Sequence, residues 1–197
     1  ENTMPTYLKT FKQFLCEDEQ QTSEYIVIYG GRFQPMHPGH FAVVKSLEKK
    51  FGGSSVVIAT SNRDEKDPNA NDYSPFNFDQ KRKIINGLFH PECDVIMCKR
   101  PTFAPVEITS HLTRDEAVIL VVSEKDRSRY EGKNNYYRFL PEDYKPGDQL
   151  LSFKSSGISY VHVESMKEHG ISATDVRKNL AQESENKAFS YFKSLYG

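Results

Sequence analysis

Tyr25-Ile26-Val27-Ile28-Tyr29-Gly30-Gly31-Arg32-Phe33-Gln34-Pro35-Met36-His37-Pro38-Gly39-His40-Phe41-Ala42-Val43-Val44-Lys45-Ser46-Leu47 is the stretch on which the fold turns. Its first five residues are β-branched or aromatic and end at paired glycines, the pattern of a buried strand running into a tight loop. Proline is tolerated at the first position of a helix, where its missing N–H would have no partner anyway. A helix is therefore expected from Pro38, with Phe41, Val44 and Leu47 recurring on one face until Gly52-Gly53 closes it. Strand, glycine loop and helix in that order make the opening unit of an α/β domain.

The alternation continues outward from this unit. Val56-Val57-Ile58-Ala59 reads as the next strand, a polar stretch covers residues 61–73, and Ser74-Pro75 is expected to open a helix with Ile84, Ile85 and Leu88 inward. Val95-Ile96-Met97 and Ala117-Val118-Ile119-Leu120-Val121-Val122 are continuous apolar runs of the type seen in strands covered on both faces. Tyr160-Val161-His162-Val163 reads as a last short strand. A mostly parallel sheet with flanking helices is the economical arrangement.

Three segments lie outside this pattern. Residues 124–149 are polar and tyrosine-rich, with Gly132, Pro141, Pro146 and Gly147, and read as a surface insertion or lid. Two helices are expected at the C-terminal end, one over about 173–180 and one with Phe189, Phe192 and Leu195 on its apolar face. The start is polar, with Tyr7, Leu8, Phe11, Phe14 and Leu15 at helical spacing. The expected organisation is a tail or helix over 1–24 and one domain over 25–197, since 197 residues are too few for two ordinary domains and a linker.

Composition narrows the function classes. The formal net charge of -1 provides no global basic field, so a nucleic-acid partner is not expected and any anion site must be local. No apolar run approaches the length of a membrane span, and the first residues lack the order of a secretory signal. The three cysteines, Cys16, Cys93 and Cys98, form no metal-binding or disulfide pattern, and a reduced cytoplasmic setting fits them best. A homo-oligomer is left open.

The chemistry concentrates in two places. With Pro38 as the first helical residue, His37 sits at the cap and His40 three positions on, both at the end of the helix that carries unpaired N–H groups and partial positive charge. That end suits a phosphate. Gly30, Gly31 and Gly39 lack a Cβ and permit close approach of a ligand to backbone. Two imidazoles can donate hydrogen bonds to phosphate oxygens where negative charge grows during phosphoryl transfer. The second place is Ile171-Ser172-Ala173-Thr174-Asp175-Val176-Arg177. Ser172 and Asp175 have the spacing of a capping box, which does not account for Thr174 and Arg177 together. Hydroxyls and an arginine at a helix start make a second anion site, fitted to β- and γ-phosphates.

Gly31-Arg32-Phe33-Gln34-Pro35 followed by His37-Pro38-Gly39-His40, then Ser74-Pro75-Phe76 with Gln80-Lys81-Arg82, resembles the archaeal-type nicotinamide-mononucleotide adenylyltransferases of the HxGH nucleotidylyltransferase superfamily. The Ile-Ser-x-Thr-x-x-Arg stretch resembles that family's second signature. The resemblance implies a Rossmann-like, doubly wound, mostly parallel sheet with ATP at the carboxyl ends of the central strands. It implies AMP transfer from ATP to a small phosphorylated acceptor, with nicotinamide mononucleotide as the best match. His37 and His40 would stabilise the α-phosphate, with Arg32 nearby on a phosphate. Ser172, Thr174 and Arg177 would hold the β- and γ-phosphates. The main chain of Gly31 to Phe33, beside Gly30 and Gly39, would line the nucleotide. Mg²⁺ would accompany ATP, held mostly by phosphates and water and not by a dedicated protein metal site.

The chain departs from that family in two respects. It contains no tryptophan to lie near a pyridine ring, and the family's Ser-Gly-Asn is here Ser123-Glu124-Lys125-Asp126. Phe103, Tyr130 and Tyr136 are aromatic residues that could stack instead. Arg63, Lys66, Lys125, Arg127 and Arg129 lie on loops after strands, from which some could reach phosphates, while each taken singly reads as solvated surface charge, as do Lys81 and Arg82 on a predicted helix. His90, His111, His162 and His169 lack metal-ligand spacing and read as structural or surface residues. The rival readings are other HxGH transferases, with phosphopantetheine, flavin mononucleotide or a phospho-alcohol as acceptor and CTP as an alternative donor, and a non-catalytic nucleotide-binding module. A class I aminoacyl-tRNA synthetase core is set aside, since no Lys-Met-Ser-Lys-like loop is present.

Overall fold

A computed structural model of the protein describes residues 20–63, 74–164, 176 and 185–196. Its elements, in chain order, are β1 (Gln21–Thr22), β2 (Tyr25–Gly31), α1 (Pro38–Phe51), a 3₁₀ turn (Gly53–Ser55), β3 (Val56–Thr60) and α2 (Phe78–Phe89). Then come β4 (Asp94–Met97), the short α3 (Val106–Thr109), β5 (Ala117–Ser123), a 3₁₀ turn (Glu124–Arg129) and β6 (Tyr137–Phe139). β7 (Leu150–Leu151), α4 (Phe153–Ser156), β8 (Ser159–Glu164) and α5 (Glu185–Tyr196) complete the described residues.

Six strands form one sheet in the order β4-β3-β2-β5-β8-β6, and every neighbouring pair is parallel. The fold is the expected Rossmann-like α/β arrangement. The chain moves outward from β2 through β3 to β4, then returns to place β5 on the other side of β2. The gap beyond the carboxyl ends of β2 and β5 is thus the topological switch point, where open α/β sheets bind ligands.

Strand alternation divides the apolar residues between two layers. Val27 and Tyr29 of β2, Ile58 of β3 and Ile119 and Val121 of β5 pack with Val43, Val44, Leu47 and Phe51 of α1 and Ile85 of α2. Ile28, Ala59, Val118, Leu120 and Val161 face the other way, against Cys98, Ile108 and Tyr130. Each central strand is buried on both sides, which is why its sequence is a continuous apolar run. No helix of the described residues is long and apolar enough to cross a membrane.

The structure corrects several sequence expectations. α2 does not open at Ser74-Pro75. Asn77 caps it, accepting from Gln80 N–H at 3.0 Å while Gln80 Oε1 accepts from Asn77 N–H at 3.0 Å. Its buried face is Lys81 and Ile85, and Leu88 is exposed. β4 is an edge strand covered only in part, with Met97 exposed.

Residues 124–149, expected as a surface insertion or lid, also contribute to the sheet, since β6 lies beside β8 and Tyr130 is packed inside. The Tyr130 ring lies between Phe103 (5.2 Å, stacked) and Tyr137 (4.9 Å, edge-on), and its hydroxyl donates to the Thr102 carbonyl. β1 lies within the expected tail, yet it pairs antiparallel with β7. Residues 1–19 of the expected tail or helix over 1–24 fall outside the described residues, as does the expected helix over about 173–180 apart from Val176, which is helical and buried. α5 is present, and Tyr196 near its end packs on Phe89 and donates to the Met36 carbonyl.

Candidate active site

The turn between β2 and α1 is built by close packing. A Cβ on Gly30 would stand 2.0 Å from the Pro101 carbonyl oxygen, and one on Gly31 would stand 2.7 Å from the Phe33 ring. Protein atoms already occupy the space these glycines leave, so their lack of a Cβ serves packing of the turn. Phe33 adopts φ 43, a left-handed conformation that is uncommon for a bulky residue. Its ring is buried between Tyr29 (5.2 Å) and His40 (5.2 Å, edge-on).

α1 starts at Pro38, with His37 as its N-cap, as expected. The two histidine rings stack, with centroids 3.7 Å apart and planes at 30°. His40 Nδ1 accepts a long hydrogen bond (3.4 Å) from the His37 backbone N–H. With Nδ1 as acceptor, a neutral His40 carries its proton on Nε2. His37 is almost wholly buried beneath it.

A cleft of about 820 Å³ opens at the switch point, over the carboxyl ends of β2 and β5. Gly30, Gly31, Arg32, Phe33 and His40 line it, while His37 and Gly39 do not. Ser172, Thr174 and Arg177 lie outside the described residues, as do Lys66 and His169.

Three cations read singly as solvated surface charge, Arg63, Lys125 and Arg129, join Arg32 on the cleft lining. Arg127 turns instead toward Glu124 (3.8 Å) and Glu131 (3.4 Å). Among the described residues one carboxylate lines the cleft, that of Asp126, which accepts from Ser123 Oγ at 2.9 Å and pairs with Arg129 at 2.9 Å. Arg32 and Lys125 form no ion pair among the described residues. A concave site with this excess of positive charge suits a polyanionic ligand.

Lys81 is the largest departure from the sequence reading. Instead of pointing into solvent, it is 1% exposed. Its ammonium donates to the Arg32 carbonyl (3.1 Å), to Thr60 Oγ1 (3.2 Å) and to the Ser61 carbonyl. Burial lowers its pKa to about 8. The available clue was its position four residues before the buried Ile85, on the same helical face.

Comparison with known proteins places this site in context. A family model described as cytidylyltransferase-like matches residues 28–179. No curated protein matches the chain. Among solved structures, a Plasmodium falciparum nicotinic acid mononucleotide adenylyltransferase complexed with NaAD aligns with TM-score 0.52 and 14% identity, covering 85% of this chain and 89% of that one. NadR protein in complex with NAD and AMP-PNP aligns with TM-score 0.46 and 22% identity over 79% of this chain. This chain spans 42% of the NadR chain. A bifunctional NMN adenylyltransferase/ADP ribose pyrophosphatase from Francisella tularensis aligns with TM-score 0.47 and 18% identity, covering 79% of this chain and 41% of that one.

Proposed function

The chain belongs to the cytidylyltransferase-like family, and we propose that it is a nucleotidyltransferase that moves AMP from ATP onto nicotinamide mononucleotide, giving NAD and pyrophosphate. One observation carries this reading. His40 stands at the start of α1 in a switch-point cleft whose lining includes Arg32, Arg63, Lys125 and Arg129.

In this reading the triphosphate lies across the start of α1, where free N–H groups and the helix dipole favour anions. An oxygen of the acceptor's phosphate attacks the α-phosphorus in line, the bond to the β-phosphate's bridging oxygen breaks, and pyrophosphate departs. His40 donates to the α-phosphate oxygens, where charge grows in the transition state, and a preformed donor of this kind contributes about 3 kcal/mol. His37 holds the His40 ring by stacking beneath it. Arg32 and the other lining cations neutralise phosphate charge, and Ser172, Thr174 and Arg177 are assigned the β- and γ-phosphates.

The donor set suits Mg²⁺ that arrives on ATP. Asp126 is already engaged by Ser123 and Arg129, and no metal-holding cluster of His, Cys, Asp or Glu occurs among the described residues. Bound to phosphate oxygens and water, the ion would offset charge on the leaving pyrophosphate.

The test offers ATP or CTP with nicotinamide mononucleotide, phosphopantetheine, flavin mononucleotide or a phospho-alcohol, and identifies products by mass spectrometry. NAD formed from ATP and nicotinamide mononucleotide alone supports the reading. Product from another pair corrects the substrates. Nucleotide binding without product from any pair refutes the transfer reaction.

A further inference from the structure

We propose that Lys81 is the positioning residue of the nucleotide-binding turn, holding the Arg32–Phe33 peptide so that its N–H is presented to a phosphate of the bound nucleotide. The inference rests on the nucleotidyl-transfer reading of the cleft and names a residue which that reading does not use.

Three observations converge on one peptide group. The Arg32 carbonyl accepts from Lys81 Nζ at 3.1 Å and from Thr60 Oγ1 at 3.1 Å, so it is anchored to the end of β3. In a trans peptide the N–H points opposite to the carbonyl, which directs the Phe33 N–H away from Lys81. That N–H forms no hydrogen bond among the described residues, and Arg32 and Phe33 both line the cleft.

Phe33 provides the reason for an anchor. Its φ of 43 is a strained conformation for a bulky non-glycine residue. Rotating the Arg32–Phe33 peptide by half a turn would carry Phe33 back to negative φ and relieve the strain. It would also point the carbonyl, and not the N–H, at the ligand. Lys81 and Thr60 hold the strained form.

Lys81 is a costly choice for a merely structural plug. All three of its described acceptors are neutral, and no carboxylate is among its contacts. Replacing it with methionine removes the cost of burying a charge but leaves the Ser61 carbonyl without this donor, so the two effects on the fold oppose each other. The effect on the turn has no such offset.

The experiment compares wild type, Lys81→Met and Lys81→Arg by ATP·Mg²⁺ titration calorimetry, turnover with nicotinamide mononucleotide, and urea unfolding. Lys81→Met is expected to weaken ATP binding about tenfold or more with a much smaller effect on the unfolding midpoint, while acceptor KM changes little. Lys81→Arg is expected to recover most of the ATP affinity. Activity that falls above about pH 8 in wild type should persist to higher pH in Lys81→Arg, whose guanidinium stays charged. Unchanged ATP affinity in Lys81→Met would overturn the proposal. So would equal loss of stability and affinity in both variants. ATP binding without turnover in wild type would count against the transfer reading alone, because calorimetry still decides the role of Lys81.

Discussion

The Gln34 side-chain amide pairs with the backbone of Phe76 as a strand would, Nε2 donating to the Phe76 carbonyl at 2.8 Å and Oε1 accepting from the Phe76 N–H at 2.9 Å. Gln34 is 3% exposed, so the pair joins the turn before α1 to the segment before α2 from within. Two sequence landmarks, Gly-Arg-Phe-Gln-Pro and Ser-Pro-Phe, are thus halves of one contact. Gln34→Ala strands two backbone groups of Phe76 and is expected to cost about 1–3 kcal/mol of stability. A urea midpoint equal to wild type would contradict this.

Glycine substitutions should separate according to what a new Cβ meets. Gly30→Ala drives a methyl into the Pro101 carbonyl, a backbone atom that cannot swing aside, and should greatly destabilise or prevent folding. Gly87 lies inside α2 with nothing within 4 Å of its Cβ position, so Gly87→Ala should gain about 0.5–1 kcal/mol. Thermal unfolding of both variants checks the contrast.

The same logic that placed β2 and α1 from sequence failed for α2. β2, β3 and β5 were legible because strands covered on both faces must be apolar throughout, and Pro38 marked the start of α1. In α2 the apolar spacing favoured Ile84, Ile85 and Leu88, whereas the buried face carries Lys81 and Ile85. A lysine satisfied by carbonyls and a threonine has no apolar signature. β6 was missed because Tyr137-Arg138-Phe139 is a three-residue edge strand inside a polar segment. The histidine pair and Arg32 were legible from their string, but the convergence of Arg63, Lys125 and Arg129 depends on topology, which brings the ends of β3 and β5 to one cleft.

Lys81 also fixes a dependence of stability on pH. Burial lowers its folded pKa to about 8 from the ordinary 10.5. Between these values the unfolded chain binds a proton that the folded chain lacks, so stability rises with pH through that window. Below pH 8 both states are protonated and the burial cost is fully in force. Unfolding midpoints of wild type should therefore gain on those of Lys81→Met from pH 8 to 10. A constant difference between the two would contradict the sign.

His37 and His40 should separate under mutation. His37 is buried, so His37→Ala should lower both stability and turnover. His40 lines the cleft, and His40→Ala should lower kcat by about 100- to 1000-fold with a smaller effect on the unfolding midpoint. Unfolding and turnover measured on the same preparations separate the two effects.

The central claim is tested most directly by the rate of pyrophosphate release from ATP, Mg²⁺ and nicotinamide mononucleotide, with wild type and His40→Ala side by side. Acceptor-dependent release is expected in wild type, with its near loss in a folded His40→Ala protein. Release that is independent of acceptor, or unaffected by the substitution, would contradict it.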